Sequence, residues 1–139
     1  MKMGFEGLIY YGVKGSTAST LISNRVDVSC DTDPQMAPTT VCGTGTAPPI
    51  ESEDVTTVKF SATLKMKNLG STDTVLQALR TAAATGGQVA IRMVDYSAYK
   101  GFDGDVNVKE SFGGNLGSEQ TFDFTFTPNN KLRTPQLYV

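Results

Sequence analysis

A chain of 139 residues with a formal net charge of -2 and neither histidine nor tryptophan has room for one sizeable core and little for a second lobe. Without imidazole there is no Ser-His-Asp triad, no Cys-His pair and no His-ligated metal, so catalysis would have to rest on carboxylates, lysines or tyrosines. Nothing in the charge balance suggests a protein that wraps duplex nucleic acid by neutralising its phosphates.

Residues 5–11 read as a first strand closed by Gly12. They lack the basic and continuously apolar regions of a secretory leader, and no apolar run in the chain approaches the roughly 18 residues of a membrane span. The expectation is a chain outside the general signal-peptide route and outside the membrane. After a turn over 15–19, a second strand is expected over 21–30, with Val26, Val28 and Cys30 on its core face. A small buried apolar side chain is the ordinary role for such a cysteine; a disulfide to Cys42 is weakly signalled, and two lone thiols make a poor metal site.

From residue 31 to residue 54 the composition turns to Asp, Pro, Thr and Gly, with Pro34, Pro38, Pro48 and Pro49 and no sustained periodicity. This predicts one long loop. Loops of that length inside a compact domain usually bind, cover an edge or reach a neighbour; a plain surface excursion is the alternative. A long one-sided strand follows: Val58, Phe60, Ala62, Leu64 and Met66 alternate with Thr57, Lys59, Ser61, Thr63 and Lys65. Period-two alternation puts one face on a core and the other on water, which excludes a buried parallel strand.

Ser71 or Thr72 can cap a helix over 72–85, with Asp73 in its first turn and Gly86 and Gly87 as its stop. Val75, Leu76, Leu79, Ala82 and Ala83 form one apolar stripe, with Leu76 and Leu79 as anchors. Strands are then expected over 88–95 (Val89, Ile91, Met93), 104–110 (Val106, Val108) and 119–127 (Phe122, Phe124, Phe126), with a short last strand over 132–139. The triple Phe strand is read as core, not as a cofactor stack. Asp103, Asp105 and Asn107 imitate the start of a calcium loop, but Val108 and Gly114 stand where an EF-hand needs Gly and Glu. The glycines of 101–104 are read as a tight turn into the strand. Strands flanking a single helix predict a mainly β domain of antiparallel strands, a sandwich or partly closed barrel with the helix packed on it. One domain over 1–139 is expected, with no catalytic, cofactor or metal site.

The order of these elements resembles the tail tube proteins of tailed bacteriophages: the first strand, Arg25-Val26-Asp27-Val28, the long loop, the strand ending at Met66, the helix, Gly101-Phe102-Asp103-Gly104-Asp105-Val106, and the strand from Glu119 to Thr127. The resemblance implies a structural, non-enzymatic subunit that forms hexameric rings stacked into a hollow conduit for DNA. Tube subunits of contractile injection and secretion systems share the architecture; a receptor- or carbohydrate-binding sandwich and a carboxylate hydrolase are the readings from other classes. By the resemblance, Pro34, Pro38, Thr39, Val41, Pro48, Pro49 and Ile50 would reach a neighbouring subunit. Asp105, Glu119 and Asp123 would give the bore a mildly acidic lining that repels phosphate. Implied partners are further copies of the chain and the tape-measure, baseplate or tip, terminator and sheath proteins of a virion tail assembled in the host cytoplasm, with DNA passing unbound and no cofactor.

Overall fold

The computed structural model describes residues 8–41, 45–94, 101–114, 116–117 and 119–137. Its strands are β1 (Leu8–Val13), β2 (Thr20–Leu21), β3 (Arg25–Val41), β4 (Ile50–Lys67), β5 (Gln88–Val94), β6 (Gly101–Gly113), β7 (Thr121–Asn129) and β8 (Gln136–Leu137), with one helix, α1 (Thr74–Thr85), between β4 and β5. All pairings are antiparallel, in the order β2-β1-β5-β6-β7-β4-β3, with β8 beside β6. The two outer strands of that path, β2 and β3, are consecutive in the chain, joined only by residues 22–24. The Ile22 amide donates to the Ile9 carbonyl of β1, and the Asn24 side chain donates to the Lys67 carbonyl of β4. The sheet therefore curls until its edges approach, but it does not close. The expected antiparallel β architecture with one packed helix is present.

The core fills the concave side of this curl. Phe122, Phe124 and Phe126 of β7, Leu64 and Met66 of β4, Ile91 of β5 and Val106 of β6 are buried, as alternation predicts, and Leu76 and Leu79 of α1 close the layer. Phe60 stacks on Phe102 with ring centroids 4.6 Å apart, an offset pairing that adds to area burial. Burial of each such side chain contributes roughly 1.5–3 kcal/mol.

The helix begins two residues later than expected. Asp73, not Ser71 or Thr72, is its N-cap: Oδ1 accepts from the Leu76 amide at 3.2 Å, while Oδ2 accepts from Asn24 at 2.9 Å. Residues Gly70–Thr72 form a preceding 3-10 turn. A carboxylate suits the positive end of the helix better than a hydroxyl. Gly86, at φ 72°, ends the helix in the left-handed conformation.

Several expectations need correction. Residues 31–41 and 50–54 are strand, not loop. β3 and β4 form one long hairpin, in register from Arg25↔Met66 to Val41↔Ile50. Pro34 and Pro38 are accommodated because β3 is an edge strand: four residues apart, they share the parity at which the backbone nitrogen faces away from β4. Val26 sits at a register shift between Arg25 and Asp27 and is exposed, Val28 is half-buried against the core, and Cys30 is exposed, because the core thins at this edge. Cys42 lies outside the described residues. Val58 is 51% exposed, so the core face of β4 begins at Phe60. The glycines of 101–104 lie inside β6 and make no turn. A Cβ on Gly101 would overlap the Met93 carbonyl, and one on Gly104 would meet the Pro135 backbone at 2.9 Å, so both serve close approach of chains. Phe5, Asp95 and Val139, the outer limits of three expected strands, lie outside the described residues.

Candidate assembly surface

β4 pairs with β7 only over Ala62–Lys67. Outward of Ala62 it pairs with β3 alone, and a two-stranded ribbon of residues 31–41 and 50–61 leaves the body, spanning about 36 Å at roughly 3.3 Å per residue. Isolated two-stranded ribbons are marginal in water. Every residue of β4 from Ile50 to Lys59 is exposed. This arm holds all seven residues assigned by sequence to inter-subunit contact: Pro34, Pro38, Thr39 and Val41 in β3, Ile50 at the start of β4, and Pro48 and Pro49 exposed in the connection. Thr39 stitches the strands together, with Oγ1 2.6 Å from Ser52 Oγ.

The arm is two-faced. Cross-strand partners share a face, so Pro34 and Val58 lie together, as do Met36 and Val55. Val55 reaches this face through a bulge: the register shifts between Gln35 and Met36, leaving Thr56 as the extra residue, and its hydroxyl donates to the Gln35 carbonyl at 3.1 Å. Without the bulge, Val55 would have the opposite parity from Val58. The face is continuous with the core through Phe60 and Ala62, yet Met36, Val55 and Val58 are each more than half exposed. Glu53 and Glu51 continue it to the tip. Apolar surface left open in line with a core marks a contact site.

The convex face of the sheet body is polar. Asp27, Lys65, Asp123 and Ser111 stand opposite one another across β3, β4, β7 and β6, and Ser29, Thr63, Thr125 and Lys109 form the adjacent row. Ser29 and Thr63 hydroxyls are 2.7 Å apart. The three acids assigned by sequence to a bore do not form a group. Asp123 is exposed in this face beside Lys65, and Glu119 is exposed with Lys67 Nζ at 3.7 Å. Asp105 is 1% exposed, buried within the chain. Its two oxygens accept from the Gly15 amide, each at 3.1 Å, and Oδ1 faces Arg133 Nε at 3.4 Å, while Arg133 Nη1 bonds Asp103 at 3.2 Å. The calcium-like Asp103-x-Asp105 pair is thus held by an arginine from the C-terminal segment. Among the described residues no cluster of ligating side chains fits a metal.

At the end of β4 remote from the arm lies a groove of about 190 Å³ lined by Leu21, Ile22, Met66, Leu69 and Val75, with Asn24 and Asp73 among its polar walls. Sequence reasoning missed it because its wall comes from the β2–β3 connection, the end of β4 and the start of α1. Leu69, the lone large apolar residue in the polar stretch 67–74, was its visible signal.

No family model matches the chain, and no curated protein matches it. Solved structures do. The chain superposes over its full length on a subunit of the tail of an empty GTA particle refined with C6 helical symmetry, at TM-score 0.76 and 12% identity, covering 100% of both chains. It matches the SPP1 tail tube, determined by solid-state NMR and cryo-EM, at TM-score 0.68 and 10% identity, over 91% of this chain and 75% of that one. The fold is the tail tube fold.

Proposed function

We propose that the chain is a structural, non-enzymatic subunit that assembles into hexameric rings stacked as the hollow tail tube of a bacteriophage, through which DNA passes. The observation that carries this reading is the full-length likeness to a subunit of a C6-symmetric tail at TM-score 0.76. Three physical features support it. The arm exposes apolar surface that a second copy would cover. The outer backbone of β3, 17 residues long, is the kind of edge that assembly protects. The polar body face has the composition of a wetted wall: hydroxyls, with the carboxylates of Glu119 and Asp123 set beside Lys67 and Lys65. On that face as a bore lining, phosphates would meet neither a basic patch that retains them nor an unbroken acidic field.

In this role the chain belongs to the virion tail, made in the host cytoplasm, and its further partners are the tape-measure, baseplate or tip, terminator and, in contractile tails, sheath proteins. Among the described residues no helix is long and apolar enough to cross a membrane. Light scattering with negative-stain imaging tests the reading. Six copies of the 14.8 kDa chain make a ring of about 89 kDa, and rings or hollow tubes are expected. A compact monomer at all concentrations, with or without preformed tail tips as seeds, overturns it.

A further inference from the structure

We infer that residues 133–137 form a releasable strap that fixes the root of the arm through the Phe102–Phe60 stack. β7 pairs with β6 as far as Asn129↔Asp105, and β8 then takes up the edge that β7 leaves, at Gln136↔Asp103 and Leu137↔Phe102, since β5 already holds the other edge there. The strap grips both faces of β6. Leu137 packs against the core on the Phe102 side, while Arg133 reaches Asp103 and Asp105 on the opposite side, at 3.2 and 3.4 Å. The place a Gly104 side chain would take is filled by both neighbours: its Cβ would fall 2.9 Å from the Pro135 Cα and 3.1 Å from Cζ of Phe102. The strap therefore borders the Phe102 ring, and that ring lies 4.6 Å from Phe60 with 7° between their planes.

Phe60 is where the arm is held. Outward of Ala62, β4 pairs with β3 alone, and over 50–61 the buried side chain of β4 is Phe60. In a close-packed interior a displaced ring displaces the ring stacked on it. The strap itself is lightly held. Its strand is two residues long, and Arg133 Nη2 is buried with no hydrogen-bond partner among the described residues, a desolvation cost that docking leaves unmet. Segments with few buried contacts open locally while the rest of the chain stays folded, so opening of the strap loosens the arm's root without unfolding the body. This coupling is a property of the single chain; what the arm then meets belongs to the tube reading, and the two fail independently.

Amide hydrogen exchange read by NMR tests this in the full chain carrying Cys30→Ser, Cys42→Ser, Arg133→Met, Asp103→Cys and Gln136→Cys. The two new cysteines are cross-strand partners, near enough for a disulfide, so oxidation ties the strap down and reduction frees it in one and the same chain. Reduction should speed exchange of the amides of 57–61 that bond to β3 by about tenfold or more, with the amide of Phe124 in the core unchanged. Phe102→Ala should loosen the same amides even with the strap tied. Arg133→Met alone, compared with the parent chain, repeats the test without the cysteines. Faster exchange at Leu137 with no change over 57–61 overturns the coupling. An equal rise at Phe124 and over 57–61 also overturns it, because the strap would then hold the whole body and not the arm, and no change at Leu137 itself shows that the strap does not release.

Discussion

Both carboxylate oxygens of Asp105 lie 3.1 Å from the amide nitrogen of Gly15, which stands 90 positions away in the chain. Gly15 has φ 80°, a turn conformation that favours glycine, and Arg133 approaches the same carboxylate from the other side. The buried acid therefore ties the β1–β2 turn and the C-terminal segment to β6. Asp105→Ala would leave the Gly15 amide and the arginine without their acceptor, and we expect it to lower stability by about 3–5 kcal/mol, as for removal of one partner of a buried pair. Asp105→Asn keeps an acceptor for Gly15 and should lose less. Urea unfolding checks both, and an Ala variant within about 0.5 kcal/mol of the parent would show the cluster to be idle.

The cap assignment has its own test. Asp73→Ala removes the acceptor of the Leu76 amide and of the Asn24 side chain and should cost about 1 kcal/mol or more. Ser71→Ala should stay within about 0.5 kcal/mol, since Ser71 lies in the preceding turn and caps nothing. Equal losses from the two would contradict the placement of the helix start.

Leu76 and Leu79 are both fully buried, and α1 reaches the core through little else but Ala82. Truncating either to Ala should lower the unfolding free energy by about 2–5 kcal/mol; losses near zero would mean that the helix is not anchored to the sheet.

Much of this was legible in sequence. Phe122, Phe124 and Phe126 alternate with polar residues and are buried as that pattern requires, and the helical stripe names its own anchors. The arm was not legible because Pro34, Pro38, Pro48 and Pro49 read as breakers of periodicity, whereas an edge strand tolerates proline at every second position. Its parity is further scrambled by the bulge at Thr56. Pro34, Met36 and Pro38, all on one parity, were the available signal. Asp105 was misread for a different reason. Alternation with Val106 places it on the outer face of β6, but there its carboxylate is covered by Arg133 and the Gly15 turn, a relation between distant segments that periodicity does not carry.

Lys65 stands between two carboxylates in register, Asp27 on β3 and Asp123 on β7. Lys65→Glu would put three acids in one row, and like charges directly opposite each cost roughly 0.2–1 kcal/mol. The variant should lose stability at low ionic strength and recover part of it in about 1 M salt, where the screening length falls to about 3 Å. A loss unaffected by salt would mean that packing, not charge, sets the role of Lys65.

On the proposed role, the arm allows folding and assembly to be tested apart. Outward of Ala62, β4 pairs only with β3, and apart from Phe60, stacked on Phe102, the residues of β4 in the arm are exposed. Deleting residues 39–52, with a two-residue Asn-Gly turn joining Pro38 to its cross-strand partner Glu53, removes the tip and leaves Phe60, the core and every sheet pairing of the body. The shortened chain should unfold within a few degrees of the parent, because a surface excursion contributes little buried area. On the proposed role it should also remain monomeric at concentrations where the parent is expected to assemble, since the deletion removes Thr39, Val41, Pro48, Pro49 and Ile50 of the expected inter-subunit contact. Thermal unfolding together with negative-stain imaging reads both consequences. Tubes of normal length from the shortened chain would show that the tip takes no part in assembly; a collapse in thermal stability would show that the arm supports its own body as well as its neighbour.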